Sequence, residues 1–481
     1  MGCASRRLAV LVAMLLPATN SAAAPPANPA APIAVAAGHP AQHHIRAQTN
    51  WSREGQSGTL TLETQGVQRL ERECADDLCS GSWFDGRERR TFGINGTPFP
   101  DRNGDPGAER TFAAIVSTAF AEPEFLVAGG TVASLPDAGD GQLRYRVSAP
   151  QGSELVAVAD ARTHRLTGVT SPDGTRGRRL IATIAGAATV YSTRAYDRVA
   201  AADGALVPPA GPAVSVGEPA ELALSRDALP IVACSLNGHP ANCLIDTGTT
   251  PSAVTLDFAE RLGQEPHGRI EIGGLGTYLT GAIQAGPLVV ASATFPALRL
   301  AVIPRARPNF DVVLGSDVLA GLRIVFAGGG HRARIEPATG DLDGTPVALE
   351  FAAGLPFVEV RLGGRDEREP LLVDTGDSNL VSIGYDEYRE DSGLFAPRGS
   401  GTAAGLGAEP MDTVDGILDR LDIAGQSLSD VPISAVRGQH GGHLGYALAG
   451  RCTSLTLDLG ARRIGVRLSA PDRKQPAARE P

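Results

Sequence analysis

Short runs in which apolar and polar residues alternate, interrupted every few positions by Gly, Pro, Asp or Ser, dominate the chain from about residue 45 onward. Thr59-Leu60-Thr61-Leu62, Leu143-Arg144-Tyr145-Arg146-Val147 and Leu155-Val156-Ala157-Val158 have the period of two that places one face of a strand in a core. One stretch departs from it: Phe112, Ile115, Val116 and Ala119 recur at helical spacing and predict a helix over Glu109 to Phe120. The pattern predicts a mainly β protein whose residues 45–200 form a β-rich (α+β) N-terminal domain. Residues 201–222, with Pro208-Pro209, Gly211-Pro212 and Gly217-Glu218-Pro219, read as a linker. The Pro/Ala-rich residues 25–44 read as an extended linker and the charged residues 469–481 as a disordered tail.

Beyond the second linker the pattern occurs twice. Leu229-Pro230-Ile231-Val232 and Leu355-Pro356-Phe357-Val358 each open a strand, turn and strand that run into the same triplet, Asp246-Thr247-Gly248 in one case and Asp374-Thr375-Gly376 in the other. Each triplet follows an apolar run, Cys243-Leu244-Ile245 or Leu371-Leu372-Val373. Glycine clusters come next, at Gly273-Gly274-Leu275-Gly276 and from Gly399 to Gly407, followed by Leu314-Gly315-Ser316-Asp317 and Leu444-Gly445-Tyr446. The distances from Asp to that later Gly are 315 − 246 = 69 and 445 − 374 = 71 residues. Residues 223–340 and 341–468 therefore read as diverged copies of one unit.

These paired features resemble the pepsin and retropepsin superfamily of aspartic peptidases over roughly residues 215 to 468. The resemblance implies two tandem retropepsin-like β-barrel lobes forming a pseudo-two-fold pair, with Asp246 and Asp374 as the catalytic dyad and Thr247, Gly248, Thr375 and Gly376 as its support. It places substrate-binding flaps at the glycine clusters, with Gly274, Gly276, Tyr278, Gly405 and Gly407 as candidates, although a hairpin turn without function would look the same. The chemistry fits the residue types. Two adjacent carboxyl groups share one proton, so that one can accept a proton from water while the other donates to an amide carbonyl, with no metal or cofactor required. Two residues depart from the family pattern. His443 stands where an apolar residue belongs, and Asp377 adds a third carboxylate after the second triplet, where it points to solvent or caps a turn, or else points inward and shifts the pH optimum.

Composition bounds the remainder. Six cysteines, 42% apolar residues and a net charge of −10 over 481 residues suit ordinary cores, and without a basic run they argue against nucleic-acid binding. Arg6-Arg7, the apolar stretch Leu8 to Leu16 and Ala22-Ala23-Ala24 read as a signal peptide over residues 1–24, too short in its apolar part to span a bilayer, which predicts a periplasmic or secreted protein. Cys74 and Cys79 could close a small loop. Cys234 and Cys243 would face each other across a four-residue loop but fall out of register across a two-residue turn at Asn237-Gly238, and Cys452 is left buried or paired.

The expected function is an exported aspartic endopeptidase acting on peptide or protein substrates. The alternative is a non-catalytic periplasmic protein that binds peptide, or that binds a lipid or cell-envelope ligand on its N-terminal domain. Tyr145 to Val147, Ala159 to Thr163 and Tyr191 to Arg198 loosely resemble periplasmic lipoprotein carriers. Asp101-Arg102-Asn103-Gly104-Asp105 starts like a calcium loop, but Pro106 replaces the needed Gly and Phe112 the needed Glu, so a polar surface loop is expected. His440 and His443 lack companion ligands for a metal, and Ser252 lacks a nucleophile elbow.

Overall fold

The computed structural model describes residues 44–469 except 54–55, 66, 103–104, 118–130, 137–138, 150, 163–165, 173–176, 180–197, 202–203, 226–228, 275, 304–308, 339–340 and 406–409. The expected signal peptide, most of the first linker, the tail after residue 469, Gly407 and most of the Tyr191 to Arg198 segment lie outside the described residues.

The molecule is mainly β, as the alternation predicts. The N-terminal region holds two antiparallel sheets, one of seven strands running from His44–Arg53 to Phe99–Pro100 with Arg198–Ala201 on its edge, and one of five strands between Thr131–Ser134 and Gly177–Arg179. The helix Pro106–Ser117 touches both. It begins three residues before the predicted start, because Asp105 Oδ1 accepts the Ala108 N–H at 3.0 Å and Pro106 occupies the first turn, where a missing N–H costs nothing. The residues that imitate a calcium loop thus include a helix cap.

The later part of the chain builds two sheets on one plan. In the first, Ile231–Leu236 pairs with His239–Ile245, Val312–Leu314 lies parallel to the latter, and then come Ala253–Thr255, Leu298–Ile303, Gly276–Ala285 and His267–Gly274. In the second, Leu355–Leu362 pairs with Glu369–Asp374, followed by Gly442–Gly445, Val381–Gly384, Gln426–Val436, Met411–Ile423 and Ala396–Ala403. Taken in chain order, both sets of seven strands are arranged first, second, seventh, third, sixth, fifth, fourth. A further six-stranded sheet brings the two parts together, because Arg323–Ala327 pairs antiparallel with Cys452–Asp458. The Arg323 guanidinium meets Asp458 there at 3.1 Å, both side chains buried. Residues 201–222, expected as a linker, contain Ser215–Val216 and all but the last residue of Ala220–Ala223, strands that pair with Ala293–Phe295 and Arg332–Glu336. These strands are too short and too rich in Gly and Pro neighbours to stand out in the sequence.

The disulfides follow the hairpins. Cys74 lies opposite Cys79 and is bonded to it. Asn237-Gly238 is a two-residue turn, with φ of +52° and +78°, yet Cys234 and Cys243 are also bonded. They form a diagonal pair, Cys234 standing opposite Ala241 and Cys243 opposite Val232. Their Cα atoms are 5.9 Å apart, within disulfide reach, since the twist of a hairpin shortens one diagonal. The two-residue turn does leave them out of register, as expected, and the bond forms across the diagonal instead. Cys452 is a buried free thiol.

The N-terminal sheet docks on both later sheets. Asp77 meets His267 at 2.8 Å and Arg299 at 3.1 Å, and Leu78 and Ile94 pack with Ala282 and Ile270. Phe99 stacks on Phe351 with ring centroids 4.9 Å apart, and Arg102 lies over the Phe357 ring. Among the described residues no helix is long and apolar enough to cross a membrane.

Candidate active site

Each triplet sits where a buried strand ends. Cys243, Leu244 and Ile245 are buried in the strand leading to Asp246, as are Leu371, Leu372 and Val373 before Asp374, so each Asp is delivered from a fixed backbone. Alternation puts Asp246 on the same side as Leu244, and Asp374 on the same side as Leu372. The Leu-Gly segments lie alongside: the Asp246 N–H donates to Leu314 O at 3.0 Å, and Gly445 pairs with Asp374.

The two triplets meet through reciprocal contacts. Thr247 N–H donates to Thr375 Oγ1 at 3.0 Å, and Thr375 N–H donates to Thr247 Oγ1 at 3.1 Å. Each hydroxyl then donates onward to the opposite strand, Thr247 to Val373 O at 2.5 Å and Thr375 to Ile245 O at 2.8 Å. Both threonines are buried, so every one of these groups depends on its partner across the junction. Serine could make the same bonds with a freer rotor, whereas valine could make none. The glycines are required by proximity. A Cβ on Gly248 would lie 2.3 Å from the Asp374 carboxyl, and one on Gly376 would lie 2.5 Å from that of Asp246.

The carboxyl groups of Asp246 and Asp374, each set against the glycine of the opposite triplet, are close enough to act on each other's proton affinity. Each also accepts the N–H of its own glycine at 2.9 Å, from Gly248 and Gly376 respectively. Burial and the neighbouring Asp374 charge push Asp246 well above the usual carboxylate range. Burial acts on Asp374 in the same direction, but His443 bonded to it, with the Gly376 N–H, brings it below that range.

His443 is the neighbour that sequence reasoning flagged without placing. Its Nδ1 lies 3.1 Å from Asp374 Oδ2. Burial disfavours the imidazolium, yet Asp374, Asp377 and Glu387 outweigh it and raise the pKa above the ordinary histidine value. Asp377 does cap its turn, accepting the Asn379 N–H at 2.9 Å, and it also takes the Ser382 hydroxyl at 2.7 Å. It is mostly buried and does not point to solvent, and burial and then the Asp374 charge raise its pKa.

A second group was invisible in the sequence. Asp317, 2% exposed, accepts from the Ser252 hydroxyl at 2.6 Å and the Ser252 N–H at 3.0 Å, just after the first triplet. The N-terminal sheet reaches it: Asn95 Nδ2 donates to Asp317 Oδ2 at 2.7 Å and Thr97 Oγ1 to Asp317 O at 2.5 Å. Ser252 is thereby a structural hydroxyl, committed to Asp317 and to the Gly315 N–H at 2.8 Å.

The flap candidates lie on hairpins. Gly274 faces Gly276 at the end of the His267–Gly274 and Gly276–Ala285 pair, with Tyr278 on the latter strand opposite Ile272. Gly405 follows Ala396–Ala403, whose partner is Met411–Ile423. Among the described residues none of these four supplies the hydrogen bonds that join the triplets, and no group of three His, Cys, Asp or Glu is placed to hold a metal ion.

No curated protein matches the chain. Among solved structures, an aspartic proteinase from Irpex lacteus is similar at 12% identity and a TM-score of 0.35, covering 52% of this chain and 98% of its own. Residues 232–318, which contain the first triplet and the Leu314-Gly315 segment, match the family model described as Aspartyl protease.

Proposed function

We propose that the protein is an exported aspartic endopeptidase in which residues 223–340 and 341–468 are duplicated lobes related by a local two-fold axis, with Asp246 and Asp374 as one dyad between them. The observation that carries this reading is the reciprocity of the junction: each threonine bonds the opposite loop and each glycine makes room for the opposite carboxyl. The family match over the first triplet supports it independently.

The chemistry follows from one shared proton. A water between the carboxyls loses a proton to the ionised partner as its oxygen bonds to the amide carbon, while the protonated partner donates to the carbonyl oxygen. Collapse of the resulting gem-diol breaks the C–N bond. The nitrogen takes a proton from the carboxyl that received it from water, and a diol hydroxyl returns one to the other. Thr247 and Thr375 hold the loops rigid, so the carboxyls need not reorganise during the step. The hairpins bearing Gly274, Gly276 and Tyr278, and Gly405 and Gly407, act as flaps over the substrate.

The test is cleavage of a denatured protein between about pH 4 and 7, where the raised proton affinity of Asp246 would keep one proton on the pair. Wild type should cleave and be blocked by a transition-state-mimicking inhibitor of aspartic peptidases, and Asp246→Asn and Asp374→Asn should both be inactive. Cleavage surviving in either variant would reject the dyad.

A further inference from the structure

The two carboxyls have nearly the same immediate partners: each accepts its own glycine N–H at 2.9 Å and each lies against the opposite glycine. Those contacts cannot decide which carboxyl holds the proton. The difference lies in the adjacent strand. Val313 pairs with Leu244 beside the first triplet, and His443 pairs with Leu372 at the corresponding place beside the second. Val313 is buried in an apolar cluster, whereas the His443 ring is turned on Asp374 at 3.1 Å.

Resting on the peptidase reading, we propose that His443 is a positioning residue that divides the labour of the dyad: its imidazolium holds Asp374 as the carboxylate that accepts the proton of water and leaves the shared proton on Asp246.

Three carboxylates influence the ring, from three directions: Asp374 at the end of Glu369–Asp374, Asp377 in the loop after it, and Glu387 on the helix Tyr385–Glu390. Glu387 is engaged with the N–H groups of Gly384 and Gly441, and Asp377 with Ser382 and Asn379. The Nδ1 contact goes to Asp374. Ser382 and Leu372, the cross-strand neighbours of His443, carry no charge. The nearest charge further along the same row is Asp415, which accepts the Ser434 hydroxyl at 2.8 Å. The directions of the shifts agree with the geometry, with His443 and Asp246 raised and Asp374 lowered.

With the roles fixed in this way, the proton leaving water is received by Asp374 and the carbonyl oxygen is protonated by Asp246. On collapse Asp374 returns its proton to the amide nitrogen and a diol hydroxyl restores that of Asp246, so the dyad ends as it began. Removing the cation raises the proton affinity of both carboxyls, and of Asp374 most because it is in direct contact. The acid limb of activity must therefore move to higher pH.

The experiment is an NMR titration of the His443 ring, assigned with His443→Gln, in wild type and Asp374→Asn, joined to pH profiles of kcat/KM for wild type and His443→Gln on a denatured, fluorescently labelled protein. His443 should titrate above its ordinary value in wild type and fall by about one unit or more in Asp374→Asn. His443→Gln keeps a hydrogen-bond donor without the charge, and should shift the acid limb upward by about one pH unit, a loss of about tenfold below it. An unchanged His443 titration in Asp374→Asn overturns the proposal, as does a His443→Gln profile lowered at all pH values with its limbs in place, which is what a merely structural role would give. If wild type cleaves nothing but the titration shifts as expected, the charge assignment stands and the peptidase reading is what fails.

Discussion

On the carboxylate side, one row of paired residues crosses each of the two later sheets, and the rows diverge after their first member. The first runs Leu244, Val313, Ala253, Ala301, Ala282, all buried and apolar. The second runs Leu372, His443, Ser382, Ser434, Asp415. The backbone plan is common to both, so the strand order does not depend on what fills this layer. What differs is how each layer is satisfied. In the first, packing is enough. In the second, every polar group in the row needs a partner and has one: His443 on Asp374, Ser382 on Asp377, Ser434 on Asp415. A polar group left unpaired there would cost about 1 to 3 kcal/mol. The comparison separates what joins the halves, which is reciprocal, from what distinguishes the carboxyls, which is confined to one side.

The largest expected effect tests the reciprocal part. Asp246→Asn and Asp374→Asn should each lower the initial cleavage rate by about a thousandfold or more, since each removes one half of an acid–base pair. A variant that keeps most of its activity would show that its carboxyl is not one of the pair. Thr247→Val and Thr375→Val come next. Each strands a buried N–H and a carbonyl of the opposite loop, and each should cost about 2 to 3 kcal/mol by denaturant unfolding. The two losses should match closely.

One-sided effects should be smaller. The upward shift of the acid limb in His443→Gln corresponds to about 1.4 kcal/mol. The sign follows from Asp374, whose lowered pKa keeps it ionised to lower pH while the cation is present. Asn95→Ala should destabilise by about 1 to 2 kcal/mol, because Asp317 and the Arg299 N–H lose a buried partner, and it should leave the pH profile in place. A shifted profile in Asn95→Ala would mean that the N-terminal sheet acts on the carboxyls and not only on the loop beside them. Arg462→Ala, which removes a half-exposed pair with Glu88 at 2.8 Å, should change stability by less than about 1 kcal/mol.

Much of this plan was legible in the sequence because it is local. Alternation located the strands, and the repeated order of Leu-Pro, Asp-Thr-Gly and Leu-Gly segments identified the residues that meet at the junction. His443 stood out because an apolar residue was expected there, but its contact with Asp374 depends on a parallel pairing of distant strands that no local pattern encodes. The clasp of Asn95 on Asp317 spans 222 residues and joins two polar side chains ordinary in their own surroundings. Ser215–Val216 and Ala220–Ala223 were hidden because two to four residues are too few to show a period. The Cys234–Cys243 bond was obscured for another reason: counting residues across a turn gives register, while the bond uses the diagonal that twist brings close.

The central claim is that the two triplets of a single chain make one active site, and mixing the two inactive variants tests it most directly. An equimolar mixture of Asp246→Asn and Asp374→Asn, assayed under conditions where wild type cleaves, should remain inactive, because every chain in it lacks one carboxyl of its own dyad. Recovery of cleavage on mixing would show that the working pair is assembled between chains and would contradict the account.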